Sequence, residues 1–202
     1  MNFVKKSIIR NTPNSTVYVP IYPLAPKHTY KETFDFLENF YHDILKLNKP
    51  VTIMGDSAGG GLSASFCEYL PEINLPQPKH LILLSPWVDI SMANKKYKKY
   101  ENADPMLGVD ALRYCGKFWA DDLDLKDFKV SPLYGDVSIL DDTAIFVGTR
   151  ELLYPDIMEF YEKFDKNKVK LIIGEGMNHV YPIYPIPEAK KALRQIIEIL
   201  KN

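Results

Sequence analysis

Gly55-Asp56-Ser57-Ala58-Gly59-Gly60 is the stretch that decides the fold prediction, because a short apolar run precedes it and a helical pattern follows it. Residues 51–54 read Val-Thr-Ile-Met, which indicates a strand, and the small and apolar residues over 62–70 predict a helix. The stretch therefore has the pattern G-x-S-x-G on a strand-to-helix turn, a nucleophile elbow that projects a serine Oγ above a sheet. We expect Gly55 and Gly59 to be required, because a Cβ at either would collide with neighbouring backbone.

This turn has two other interpretations: a glycine-rich turn without a reactive serine, and a loop that binds phosphate at a helix N-terminus. No G-K-[ST] sequence follows the turn, which weakens the phosphate interpretation. With Gly and Ser each at about 7% of residues, the bare pattern would arise by chance roughly 0.07 times in a chain of this length. The pattern thus favours a nucleophilic serine at Ser57.

Short β-branched runs alternate with helical patterns along the whole chain, which predicts an α/β protein with a mainly parallel sheet flanked by helices. The predicted strands are residues 16–22, 51–54, 80–84, 144–147 and 169–173. The predicted helices are residues 1–15 (apolar face Phe3, Val4, Ile8 and Ile9), 30–47 after a T-x-x-E capping box, 62–70, 109–119, a helix after Pro155 and a last helix from Pro187. We expect loops and lid-like elements in the rest of residues 86–140.

Composition excludes several classes of protein. The 25 basic and 26 acidic side chains among 202 residues give a net charge of −1, which disfavours nucleic acid as a partner. A hydrophobic content of 46% is typical of a single globular domain, which we place at residues 1–202. No apolar run approaches the ~20 residues of a membrane span, and no signal peptide is visible, so we expect a cytoplasmic protein. Cys67 and Cys115 are predicted to be buried free thiols rather than a disulfide or metal site.

A serine alcohol needs a histidine to take its proton and a carboxylate to orient that histidine. His179 is the favoured base, because it lies in a glycine-containing loop directly after the last predicted strand. By contrast, His28 lies in a Pro-rich turn, His42 lies within a helix, and His80 begins a strand.

The orienting acid should leave a strand between the serine and the histidine along the chain. Glu151 meets this condition because it follows the strand at residues 144–147. Asp156 is the alternative acid, although it falls in the first turn of the next helix, where its ordinary role is to interact with the helix dipole. Three further acids precede the strand and are expected to be turn residues at its other end: Asp136, Asp141 and Asp142.

Several segments resemble the hormone-sensitive-lipase-like group of α/β-hydrolase esterases. Residues 55–60 (GDSAGG) are similar to the group's elbow, and residues 22–28 (YPLAPKH) resemble its Y-R-L-A-P-E-H stretch. The other matching segments are residues 83–89, 131–133, 148–153 and 176–179. The resemblance implies a carboxylesterase or lipase-like serine hydrolase that cleaves small acyl esters through an acyl-enzyme without a cofactor or metal. On this resemblance, Ser57 would be the nucleophile, Glu151 the orienting acid, His179 the base and Ala58 N–H one oxyanion donor.

The chain departs from the family pattern at its start. The family carries an H-G-G-G oxyanion loop upstream of the Y-R-L-A-P stretch, whereas residues 1–15 contain no glycine. The family's first strands and N-terminal cap are therefore missing from the predicted fold. The absent central strand would lie between residues 16–22 and 51–54, so these two strands must close together or pair with something else.

Two classes of function follow. The first is the serine hydrolase just described, acting on a small-molecule ester, and the second is a catalytically silent, truncated scaffold or binding protein. A peptidase on the same fold is less favoured because nothing suggests a peptide-binding domain. Homo-oligomerisation is a further expectation, since it would cover exposed sheet edges.

Overall fold

A computed structural model describes residues 7–201 and contains a four-stranded, fully parallel sheet with the strand order β1-β2-β3-β4. The strands are β1 (Thr52–Asp56), β2 (His80–Leu84), β3 (Thr143–Gly148) and β4 (Val169–Gly174). The helices are α1 (Tyr30–Leu45), α2 (Ala58–Tyr69), α3 (Tyr97–Tyr100), α4 (Val109–Ala120), α5 (Tyr154–Glu162) and α6 (Pro187–Lys201). The predicted α/β class and parallel sheet are confirmed, and α3 is an addition within the irregular region.

Helices cover both faces of the sheet, because alternate side chains of a strand point to opposite sides. Leu81 and Leu83 of β2 lie in one apolar cluster with residues of α2 and α5. Ile82 and Leu84 lie in a second cluster with residues of α6. Since both faces are covered, all five residues of β2 are buried. This rigid centre fixes the positions of the loops that follow each strand.

The predicted capping box starts α1 as expected. The Glu32 carboxylate accepts hydrogen bonds from the backbone N–H of Thr29 at 2.9 Å and from its hydroxyl at 2.6 Å. Phe34 of α1 then packs edge-on against Phe66 of α2, so α1 forms an outer layer over α2 and the side of β1.

The prediction of a strand at residues 16–22 is wrong. Residues 15–24 carry no regular secondary structure, and within the described part of the chain β1 pairs with β2 alone. Pro20 cannot donate to a ladder, and no strand within residues 7–201 lies beside this segment to supply hydrogen bonds. Val19 and Ile21 are accordingly 60% and 90% exposed. Within residues 7–201, therefore, β1 keeps an open outer edge.

The predicted helix over residues 1–15 is wrong at its end, because residues 12–15 are not helical. Phe3 and Val4 lie outside the described residues. Ile9–Asn11 form a single 3-10 turn, and Ile8 is buried in the cluster that α6 forms with the sheet. None of the helices within residues 7–201 has the length and apolarity that crossing a membrane requires.

Candidate active site

The turn between β1 and α2 has the strained backbone that a nucleophile elbow requires. Ser57 has φ 53° and ψ −120°, a conformation that is costly for a residue with a side chain. Hydrogen bonds on both sides hold it there: its N–H donates to Leu84 O at 2.9 Å, and its carbonyl accepts from Gly61 N–H at 3.0 Å and Trp87 N–H at 2.9 Å. The loop after β2 thus fixes the nucleophile's backbone.

The glycines around the elbow have unequal roles. A Cβ on Gly55 would lie 2.1 Å from the carbonyl oxygen of Gly59, so the predicted collision with backbone occurs at Gly55. A Cβ on Gly59 would meet nothing within 4 Å, so the expectation that it would collide is wrong. The close approach instead falls at Gly61, where a Cβ would lie 2.1 Å from Trp87 O. The start of α2 is therefore packed against the loop after β2. Asp56, the elbow's second residue, is exposed at the end of β1.

His179 lies directly beside the serine. Its Nε2 is 2.8 Å from Ser57 Oγ, and the residue is only 3% exposed. Backbone contacts join its loop to the turn after β3, where Arg150 N–H donates to Met177 O at 3.0 Å. A Cβ on Gly148 would lie 2.3 Å from the same carbonyl, so a glycine is required for this approach. The geometry suits transfer of the serine proton to the imidazole.

Glu151 is fully buried on the far side of the imidazole. Its Oε2 accepts hydrogen bonds from Ser85 Oγ at 2.6 Å and from Gly148 N–H at 3.2 Å. Its Oε1 lies 3.8 Å from His179 Nδ1, and neither of these two atoms has a hydrogen-bond partner among the described residues. A closure of roughly 1 Å would complete that hydrogen bond, and catalytic hydrogen bonds are often long before substrate binds.

The charge of Glu151 affects its surroundings. Burial, and secondarily the nearby Glu151 carboxylate, raises the pKa of Tyr181 to about 12, so this phenol stays neutral. The acid and the imidazole are thus both buried beside the half-buried Ser57.

Asp156, the alternative acid, forms its hydrogen bonds with residues other than His179. It lies in the first turn of α5, as predicted, and accepts hydrogen bonds from Asn94 Nδ2 at 2.7 Å and from the Tyr97 hydroxyl. Burial raises its pKa to about 7. The carboxylate that the structure brings within 4 Å of His179 is that of Glu151.

The three acids that were expected at the other end of the strand do lie there. Asp142 pairs with His80 Nδ1 at 2.6 Å, at the start of β2. Asp141 pairs with Lys168 Nζ at 2.7 Å, and Asp136 accepts from Ser138 N–H in a local turn. None of these contacts approaches the elbow, so they act on local structure.

The N-terminus of α2 faces the space in front of Ser57. Ala58 is the first residue of this helix, and the first N–H groups of a helix have no partner within it. The positive end of the helix dipole lies at the same place. These features suit a developing oxyanion, with Ala58 N–H as one donor.

A cavity of about 360 Å³ opens beside Ala58. Its wall includes five aromatic residues: Tyr22, Trp87, Tyr114, Phe118 and Trp119. Trp87 and Trp119 line the cavity, whereas Tyr97 is buried in the core. Cys115 was expected to be buried but is an exposed thiol on the cavity wall, because its face of α4 covers the cavity rather than the core. The residues that the structure describes contain no group of three His, Cys, Asp or Glu placed to bind a metal.

Comparison with known proteins agrees with this architecture. Residues 7–183 match the family model described as alpha/beta hydrolase fold. An esterase from Acinetobacter venetianus is 33% identical over 185 residues, which cover 88% of this chain and 61% of the relative. An acetyl-hydrolase from Streptomyces hygroscopicus is 27% identical, covering 71% of this chain and 49% of the relative.

The solved structure of the hormone-sensitive-lipase homologue EstE7, from a metagenome library, superposes with a TM-score of 0.83 at 29% identity. The match covers 89% of this chain and 64% of EstE7. The chain thus spans less than two thirds of the length of these relatives. This chain therefore belongs to the alpha/beta hydrolase fold family.

Proposed function

We propose that this chain hydrolyses small acyl esters through an acyl-enzyme on Ser57. The observation that carries the proposal is the 2.8 Å contact between Ser57 Oγ and His179 Nε2 on a strained elbow. Relatives named as an esterase and an acetyl-hydrolase support the same reaction class. The aromatic cavity beside Ala58 would hold an apolar part of the ester.

The reaction would begin with transfer of the Ser57 proton to His179 Nε2 as Oγ attacks the ester carbonyl. The carbonyl oxygen becomes an oxyanion directed at Ala58 N–H, while Glu151 stabilises the imidazolium. The tetrahedral intermediate collapses as His179 returns the proton to the departing alcohol. Water then attacks the acyl-enzyme with His179 again as base, which releases the carboxylic acid and restores the serine. No step needs a cofactor.

Hydrolysis of p-nitrophenyl acetate and butyrate tests the proposal. The Ser57→Ala variant should lose activity by at least about 10³-fold, since the nucleophile is removed. Ser138→Ala is the matched control, because Ser138 is exposed in a turn at the opposite end of the sheet. Equal rates for the native chain and Ser57→Ala would refute the proposal.

The silent-scaffold alternative predicts a different result with an active-site fluorophosphonate probe. A silent scaffold would leave Ser57 unlabelled, whereas the hydrolase should be labelled stoichiometrically at that residue. The esterase and hydrolase relatives do not favour the scaffold.

A further inference from the structure

Ser85 lies where the acid turn and the histidine loop meet. It follows β2 directly, has φ 48° and is completely buried. Its hydroxyl donates to Glu151 Oε2 at 2.6 Å and accepts from the Val180 N–H at 2.9 Å. One hydroxyl thus bonds both to the acid and to the residue that follows His179.

The direction of these two hydrogen bonds is fixed by chemistry. A hydroxyl has one hydrogen and two lone pairs, whereas a backbone N–H can only donate. Val180 must therefore donate to Ser85, and the single hydroxyl hydrogen must go to Glu151. This arrangement requires an acceptor oxygen at Oε2, and an ionised carboxylate provides one.

The consequence for Glu151 is a fixed orientation. Ser85 and Gly148 N–H together hold Oε2, which leaves Oε1 as the oxygen that points towards His179 Nδ1. On the other side, Val180 has φ 52°, so the backbone beside His179 is itself strained and held by the bond to Ser85.

We infer that Ser85 is a positioning residue that sets the acid and the base relative to each other. This inference rests on the proposed function, because it concerns the same three side chains. Ser85→Ala would leave Val180 N–H buried without its partner and Glu151 Oε2 with one donor. We expect kcat for p-nitrophenyl butyrate to fall about 10- to 100-fold with KM changed less than about threefold, since Ser85 does not line the cavity.

Ser131 offers a matched control. It too is fully buried, and its hydroxyl also joins two loops, donating to Leu125 O at 2.6 Å and accepting from Ile90 N–H at 2.9 Å. Ser131→Ala should lower the melting temperature about as much as Ser85→Ala but keep kcat within about threefold. An equal loss of kcat in both variants would show a general packing effect and overturn the inference.

The decisive experiment is a double-mutant cycle with Glu151→Ala. Ser85→Ala should lower kcat clearly less in the Glu151→Ala background than in the native chain, because only the bond to Val180 is then left to lose. If the kcat losses of Ser85→Ala and Glu151→Ala multiply in full, the inference is overturned while the proposed function stays intact. Hydrolysis that does not depend on Ser57 would instead refute the proposed function itself. Ser85→Gly, which relieves the positive φ yet removes the hydroxyl, should lose as much kcat as Ser85→Ala and keeps the test valid if Ser85→Ala does not fold.

Discussion

Replacing Glu151 by glutamine tests the acid with almost no change in shape. In the native site Oε2 accepts two hydrogen bonds and Oε1 faces the imidazole. The amide that Glu151→Gln introduces has one oxygen and one NH₂ group, so its two orientations have different costs. With the oxygen towards Ser85 and Gly148, the NH₂ group points at His179 Nδ1.

That first orientation places a donor against Nδ1, so the imidazole must carry its proton on Nε2. An Nε2 that already carries a proton cannot accept the one on Ser57, and the base is lost. The flipped orientation would restore the correct tautomer, but it places the NH₂ group against the Gly148 N–H and leaves the Ser85 hydroxyl hydrogen without an acceptor. Unpaired buried donors cost about 1–3 kcal/mol each, so the inactive orientation should dominate.

The expected loss follows from this tautomer preference. Forcing the wrong tautomer in a serine protease triad lowers kcat about 10⁴-fold. We expect a fall of about 10³- to 10⁴-fold for Glu151→Gln, equivalent to about 4–5.5 kcal/mol at about 1.36 kcal/mol per factor of ten. The assay is kcat for p-nitrophenyl butyrate, with circular dichroism to verify that the variant is folded.

Asp156→Asn is the matched control, because it makes the same chemical change five residues away in a carboxyl bound to Asn94 and Tyr97. It should keep kcat within about threefold. If Asp156→Asn were the variant that lost activity while Glu151→Gln stayed active, the assignment of the acid would be refuted.

Two further predictions concern the stability of the fold. Gly55→Ala should lower the melting temperature strongly, whereas Gly59→Ala should change it little, since only the first Cβ meets backbone; similar melting temperatures for the two variants in thermal denaturation would contradict the elbow packing. Burial raises the pKa of Glu68 to about 9, and neither of its carboxyl oxygens has a hydrogen-bond partner in the described residues. A raised folded-state pKa means that the stability due to its neutral form is present below about pH 4.5 and is lost as the pH rises towards 9. The free energy of unfolding should therefore fall less steeply between about pH 5 and pH 9 in Glu68→Gln than in the native chain, and identical slopes in urea titrations would exclude this source of pH dependence.

Sequence patterns predicted those features that depend on local chemistry. The capping box before α1, the strand-to-helix elbow and the order of Ser57, Glu151 and His179 are all readable along the chain. Parallel strands then bring the loops at their carboxyl ends together, which explains why residues far apart in the chain meet in space.

Features that depend on which side chains meet across loops were not predicted. The hydroxyl of Ser85 carries no local signal for its two bonds, and Gly59 looks like Gly55 until the space around it is known. The segment at residues 16–22 alternates like a strand, but a strand exists only where a neighbour supplies hydrogen bonds. Cys115 is helical as predicted, yet its side of α4 borders the cavity.

The most direct test of the central claim is to find which residue becomes acylated or phosphonylated. The chain is incubated with a fluorophosphonate, digested, and analysed by tandem mass spectrometry, alongside Ser57→Ala and His179→Ala variants. We predict one adduct per chain on Ser57, formed at least about 10²-fold more slowly when His179 is replaced because the serine then lacks its base. An adduct on another residue, or one that forms on Ser57 equally fast without His179, would contradict the account.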